Sequence, residues 1–137
     1  MHNLKPDLAQ ARSLIAAAEN EMKYLETLQP SLNAAGTIIR GIYENFRRLG
    51  AALLLMQGKK GNHEESINEL TKLDVSTTRP LQVLNNLMRL RHRINYDGYQ
   101  PKEADLTDVL SIKTSCWKPI LEKVKTLAQE HKAAIYE

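Results

Sequence analysis

Apolar side chains recur every three or four residues along most of this chain, a pattern typical of amphipathic α-helices. Proline, glycine and short polar clusters interrupt the pattern at places where we expect turns. The pattern therefore predicts five helices, over residues 7–28, 32–57, 63–73, 80–95 and 103–136. Asn62 followed by Glu65 has the spacing of a capping box at the start of the third helix. Pro119 should kink the fifth helix or split it in two, because proline lacks the amide hydrogen.

The second predicted helix has an apolar face wide enough to pack against more than one neighbour. It also contains Gly36, Gly41 and Gly50, and each glycine weakens a helix by about 1 kcal/mol relative to alanine. Close approach of another helix is one explanation for these glycines.

Four of the five helices are long enough to form a bundle, and their short connections favour antiparallel neighbours. We therefore expect one all-α domain over residues 1–137, an up-and-down four-helix bundle with one extra short helix. No apolar run approaches the roughly 18 residues that a membrane span needs, and the N-terminus lacks a signal-peptide core. Because the single cysteine, Cys116, also fits a reducing compartment, we expect a cytoplasmic protein without membrane contact.

The net charge of +3 is mild but unevenly distributed. Residues 37–61 hold five cations against one anion, and residues 79–102 also hold five against one, so each segment carries +4. Two basic segments are compatible with a nucleic-acid or nucleotide partner. On charge alone, solvated helix faces are the simpler interpretation, because moderately basic faces are common on helices.

Most familiar catalytic constellations are missing from the sequence. No histidine pairs with another histidine, a cysteine or a carboxylate at a recognised ligand spacing, so we expect neither a metal nor a cofactor. Cys116 lies on an apolar helix face beside Trp117, which indicates a core residue rather than a nucleophile. The basic loop at residues 58–61 does not connect a strand to a helix, as a phosphate-binding loop would.

The fourth predicted helix changes character along its length. Its polar line, which we expect to be solvated, contains Gln82, Asn86, Arg89 and Arg93. Beside that line, Leu84 and Met88 continue into Arg91 and Asn95. An apolar line that becomes polar in its last turn indicates a packed seam that opens into a polar pocket. Arg91 is therefore a better functional candidate than the two neighbouring arginines.

The segment that follows is a polar turn rich in potential ligand-binding groups. We take Arg91, Asn95, Tyr96, Asp97 and Tyr99 as candidate binding residues. A guanidinium beside hydroxyls and an imidazole could recognise phosphate. An equally weighted alternative is a surface ion pair between Arg91 and Asp97, with the tyrosines as half-buried packing residues.

Four stretches of the chain resemble the HEPN family of small all-α proteins. They are Ile42–Phe46, Leu53–Gly58, Asn62–Glu64 and Arg91–Tyr99, in a similar order of helices, and the resemblance covers roughly residues 8–127. It implies an up-and-down four-helix bundle with an extra short helix, usually as a homodimer. Many active HEPN proteins are metal-independent endoribonucleases, and such proteins often belong to toxin–antitoxin pairs with a small nucleotidyltransferase.

The HEPN catalytic motif is an arginine with a polar neighbour, followed a few positions later by a histidine. Arg91 and His92 match the first two positions, but Tyr96 stands where the family has its histidine. Histidine can assist attack of a ribose 2′-hydroxyl on phosphate because its pKa is about 6.5, whereas tyrosine titrates near 10. The resemblance thus names Arg91, His92 and Tyr96 as candidate catalytic residues. His92 is poorly placed, about 100° around the helix from Arg91.

Three hypotheses follow, in order of preference. The first is a HEPN-like homodimer that binds a nucleotide, RNA or a partner protein near Arg91, with degenerate or no catalysis. The second is a toxin-type partner of a nucleotidyltransferase; related toxins are modified on a tyrosine near this motif, which makes Tyr96 or Tyr99 the analogous candidate. The third is a metal-independent endoribonuclease.

Overall fold

The computed structural model describes residues 2–3 and 5–136, with side chains from residue 5 to residue 131. Within these ranges the chain is mostly helical, which confirms the predicted all-α class. The helices are α1 (Leu8–Leu25), α2 (Ala35–Met56), α3 (His63–Thr71), α4 (Val83–Tyr96) and α5 (Glu103–Tyr136). A 3₁₀ turn, Leu32–Ala34, leads into α2, and β1 (His2–Asn3) pairs antiparallel with β2 (Lys59–Lys60). Among the described residues, no helix combines the length and apolar character needed to cross a membrane.

The helix boundaries agree with the sequence pattern to within two residues except at three ends. The second helix begins at Ala35 rather than at residue 32, because the 3₁₀ turn Leu32–Ala34 precedes it. The first helix ends at Leu25 because the chain tightens there, with the Leu28 amide donating to the Leu25 carbonyl at 3.1 Å. The fourth begins at Val83 because residues 80–82 form a similar tight turn, in which the Val83 amide donates to the Pro80 carbonyl. In both places three-residue hydrogen bonds replace the four-residue bonds of an α-helix.

Local signals at the helix ends are confirmed where the structure describes them. The Asn62 side chain accepts from the Glu65 amide at 2.8 Å, and the Glu65 carboxylate accepts from the Asn62 amide at 3.0 Å. This reciprocal pair is the predicted capping box. Pro119 does not split the last helix, since α5 continues without a break from Glu103 to Tyr136.

Helix α2 lies at the centre of the molecule and contacts each of the other four helices. This arrangement accounts for its wide apolar face, which is buried along almost its whole length. Phe46 of α2 packs edge-on against Trp117 of α5, with ring centroids 5.2 Å apart. Cys116 is fully buried beside that contact, and burial raises the pKa of its thiol, as expected for a core residue.

The three glycines of α2 serve different purposes. A Cβ atom on Gly50 would lie 1.9 Å from the carbonyl oxygen of Ser66 in α3, so α2 and α3 touch there through their backbones. A Cβ on Gly41 would lie 2.7 Å from a methyl group of Leu25 in α1. Close helix approach therefore explains these two. Gly36 instead faces the guanidinium of Arg40, one turn further along the same helix.

Candidate functional site

Arg91 lies in the penultimate turn of α4, where the apolar seam of that helix ends. Its half-buried side chain extends over the ring of Tyr43 in α2, with Cζ 5.2 Å from the ring centroid. The same Cζ lies 5.7 Å from the centroid of Tyr96. The side-chain oxygen of Asn95 accepts hydrogen bonds from Nε and Nη2 of Arg91 at 3.1 and 3.2 Å, with the side-chain amide oriented so that its oxygen faces the guanidinium. The predicted seam thus ends in a guanidinium fixed between two aromatic rings and an amide.

His63 joins this site from a different part of the chain. The Asn62 capping box makes His63 the first residue of α3, and this places its ring 6.0 Å from the ring of Tyr43, tilted by 48°. Tyr43 is almost completely buried and so forms a rigid support. Because Arg91 and His63 both lie against this one ring, the two side chains belong to one site.

Two further arginines of α2 border the site, and both are paired. Arg47 donates from Nε and Nη2 to the two carboxylate oxygens of Glu44, at 3.0 and 2.6 Å. Arg48 donates to Glu21 of α1 at 2.7 Å and to the side-chain oxygen of Asn45 at 2.8 Å. Arg91 differs from both, because no carboxylate lies within ion-pair distance of it among the residues with described side chains.

Burial and the neighbouring charges together shift the pKa values of three groups at the site. Partial burial, together with the charges of Arg47 and Arg91, lowers the pKa of His63, although Glu44 opposes the shift. Burial raises the pKa of Glu44, but the hydrogen bond and charge of Arg47 outweigh it, so that the net pKa lies below the usual value. Burial raises the pKa of Tyr43 despite both arginines. Near neutral pH the site therefore holds a carboxylate, a neutral phenol and a neutral imidazole beside Arg91.

The structure distributes the other predicted residues around Arg91. His92 is exposed and lies against Tyr96, with ring centroids 4.8 Å apart. Tyr96 is itself 66% exposed. Asp97 is exposed and is not the ion-pair partner of Arg91. The alternative of an Arg91–Asp97 ion pair is therefore wrong: the guanidinium instead turns toward α2 and Asn95.

Tyr99 belongs to a separate contact in the turn after α4. Its hydroxyl donates to Asp105 at 2.6 Å, and Asp105 also accepts from the Lys102 amide at 2.9 Å. The guanidinium of Arg93 lies 3.9 Å from the centroid of the Tyr99 ring. Arg93 is exposed, as expected, but it covers this ring rather than extending freely into solvent.

Sequence reasoning missed the α2 and α3 members of the site: Tyr43, Glu44, Arg47 and His63. A signal existed for two of them, because Tyr43 and Arg47 are four residues apart and so share one face of α2. The capping box also fixes His63 as the first residue of α3. Neither signal indicates which helices meet, and that pairing is what brings His63 to Arg91.

The site has the character of an anion-recognition surface. Arg91 has N–H groups beyond those bonded to Asn95, and a phosphate or carboxylate accepts such donors well. No group of three or more histidine, cysteine or acidic side chains suited to a metal ion occurs in the described part of the chain. Comparisons with protein-family models, with curated proteins and with solved structures gave no match.

Proposed function

We propose that this protein binds single-stranded RNA or a nucleotide at the surface formed by His63, Arg91 and Tyr96 over the buried ring of Tyr43. The observation that carries the proposal is Arg91, a guanidinium held in place by neutral partners and without a carboxylate partner among the described side chains. Such a group offers its charge and donors to an incoming phosphate. The exposed ring of Tyr96 beside it supplies a surface on which a base can stack.

His63 gives this proposal a distinctive pH dependence. Burial is the largest cause of the lowered pKa of His63, and the positive charges of Arg47 and Arg91 lower it further. A phosphodiester bound beside Arg91 adds negative charge, which opposes the effect of these two arginines. Binding should therefore raise this pKa and couple to proton uptake, so that affinity increases as the pH falls from about 8 to about 6. Of the neighbouring groups, Glu44 stays ionised and Tyr43 stays neutral in that range, because their pKa values are shifted away from it.

The test is calorimetric titration of the protein with octauridylate that has hydroxyl groups at both ends. Neither its internal phosphodiesters nor its bases titrate in this pH range, so the protein alone supplies any pH dependence. We expect tighter binding at the lower pH, and we expect His63→Gln to remove most of that difference. The matched control His92→Gln should retain it. Absence of binding at both pH values would refute the proposal, and a pH dependence unchanged by His63→Gln would refute the role of this histidine.

A second candidate function, metal-independent RNA cleavage, is favoured by the neutral state of His63. A neutral imidazole beside an arginine could accept the proton of a ribose 2′-hydroxyl while the arginine stabilises the phosphate charge. Incubating the same RNA with the protein and a chelator separates the two functions. Intact RNA supports a binding module, whereas cleavage that disappears in His63→Gln supports an enzyme.

The homodimer, the nucleotidyltransferase partner and the cytoplasmic location stay predictions of the sequence. The HEPN resemblance supports the first two, and the lone buried Cys116 is consistent with the third. The binding surface proposed above is formed within one chain, so its test does not depend on any of the three.

A further inference from the structure

A cavity of about 470 Å³ lies along the same side of α2 as the Arg91 site. This volume is within the usual range for a ligand pocket. The start of α2 and the 3₁₀ turn before it form one wall, and the end of α4 with the following turn forms the other. Its lining includes Asn33, Thr37, Arg40, Ile94, Tyr99 and Gln100.

Arg40 is the charged side chain of this cavity. Among the residues with described side chains, no carboxylate lies within ion-pair distance of it. Its guanidinium folds back over Gly36, where Nη1 would lie 3.3 Å from an added Cβ atom. An alanine at position 36 would favour the helix by about 1 kcal/mol, but its Cβ atom would crowd the Arg40 guanidinium in this position. Gly36 thus leaves room for an unpaired guanidinium beside an open, polar cavity.

The cavity and the Arg91 site follow one another along the junction of α2 and α4, the α2–α4 groove. Arg40, Tyr43 and Arg47 follow one another at three- and four-residue spacing, so they share one face of α2. Helix α4 runs antiparallel beside them: Arg91 lies at Tyr43, and Ile94, about one turn later, lines the cavity with Arg40. The helical rise places Arg40 roughly 5 Å along α2 from Tyr43. Because the Arg40 guanidinium folds back over Gly36, a further turn away, it lies roughly 10 Å along α2 from Tyr43. Two guanidiniums without a carboxylate partner among the described side chains are therefore about two helical turns apart, a separation that two phosphates of one extended strand can span.

We propose that the Arg40 cavity is a second phosphate subsite, so that the groove binds an oligonucleotide backbone rather than a mononucleotide. This inference rests on the proposed function, because it assigns the Arg91 site to one phosphate and the Arg40 cavity to another phosphate of the same strand. The ring of Tyr99 and the exposed side chain of Leu32 add apolar surface around the cavity, against which a sugar or base can pack.

The experiment compares uridine monophosphate with octauridylate as ligands for the wild-type protein and for Arg40→Ala. We expect Arg40→Ala to weaken octauridylate binding about five- to tenfold and to change the affinity for uridine monophosphate less than about twofold. The slope of log affinity against log salt should fall by about 0.7 for octauridylate, because one phosphate contact is lost. Arg12→Ala, which removes an exposed cation from α1, is the matched control and should change neither ligand appreciably.

Gly36→Ala tests the same subsite without a change of charge. It should weaken octauridylate binding about two- to threefold while leaving uridine monophosphate unaffected, because the Arg40 pose is crowded. Equal losses in Arg40→Ala and Arg12→Ala, or equal losses for the two ligands, would overturn the second subsite alone. Failure of the wild-type protein to bind either ligand would overturn the proposed function as well.

Discussion

Replacement of Gly50 by alanine should lower the melting temperature by roughly 5–10 °C. The new Cβ would lie 1.9 Å from the carbonyl oxygen of Ser66 and 2.6 Å from its carbonyl carbon. Both are backbone atoms, so no side-chain rotation can relieve the overlap and α2 must separate from α3. Overpacking typically costs about 1–3 kcal/mol and occasionally more. A 1.9 Å overlap with backbone belongs at the upper end of that range, above the roughly 1 kcal/mol that alanine contributes to helix propensity. Thermal unfolding followed by circular dichroism measures the shift.

The same substitution elsewhere in α2 supplies matched controls. At Gly41 the added Cβ meets the flexible end of Leu25 at 2.7 Å, so we expect a smaller loss. At Gly36 it meets the movable guanidinium of Arg40, so we expect no loss or a slight gain in stability. The predicted order of melting temperatures is Gly36→Ala highest and Gly50→Ala lowest. A Gly50→Ala protein as stable as the wild type would contradict the backbone contact between α2 and α3.

The Gly50 contact also matters for the site. Ser66 is one helical turn from His63, and the approach of α3 to α2 is what holds His63 against Tyr43. Separation of the two helices would therefore move the imidazole away from Arg91. Gly50 thus connects the packing of the core to the geometry of the proposed binding surface.

Arg91→Ala should weaken octauridylate binding about ten- to hundredfold at low salt. A charge-assisted hydrogen bond contributes roughly 1.5–3 kcal/mol, which corresponds to this loss of affinity. Removing Arg91 leaves no buried carboxylate behind, because Asn95 and the two tyrosine rings are its partners, so the fold should survive. Fluorescence anisotropy of labelled RNA measures affinity, and circular dichroism confirms that the helices persist.

Two variants show whether charge alone explains the loss. Arg91→Lys keeps the charge but lacks the planar fork, so we expect an intermediate affinity. Arg89→Ala removes an exposed arginine two residues away, whose side chain bonds to Asn86, and should bind almost as well as the wild type. Equal losses in Arg89→Ala and Arg91→Ala would indicate general charge attraction and would refute the site.

The sequence predicts the helices well because their signals are local. Apolar spacing, the Asn62 capping box and the proline and glycine positions all act within a few residues, and they locate the five elements to within about one turn. The change from apolar to polar side chains along α4 likewise singles out Arg91. That residue does lie at the junction of the seam with a polar surface.

The rest of the site depends on contacts between distant segments. His63 looks like an ordinary first residue of a short helix until α3 packs against α2 at Gly50. Asp97 looks like a partner for Arg91 until Tyr43 and Asn95 are seen to engage the guanidinium. In both cases local spacing is correct, but it carries no information about which helix faces meet.

The most direct test of RNA binding at the Arg91 site is an NMR titration of the isotopically labelled protein with octauridylate. We expect backbone amide signals to shift first at Tyr43, His63, Arg91 and Tyr96, with Arg40 following if the second subsite is occupied. An alternative binding site is the groove between α1, α2 and α5, whose lining includes the apolar side chains Met22, Ile38 and Leu110. Signal shifts confined to that groove, or no signal shifts at all, would contradict RNA binding at the Arg91 site.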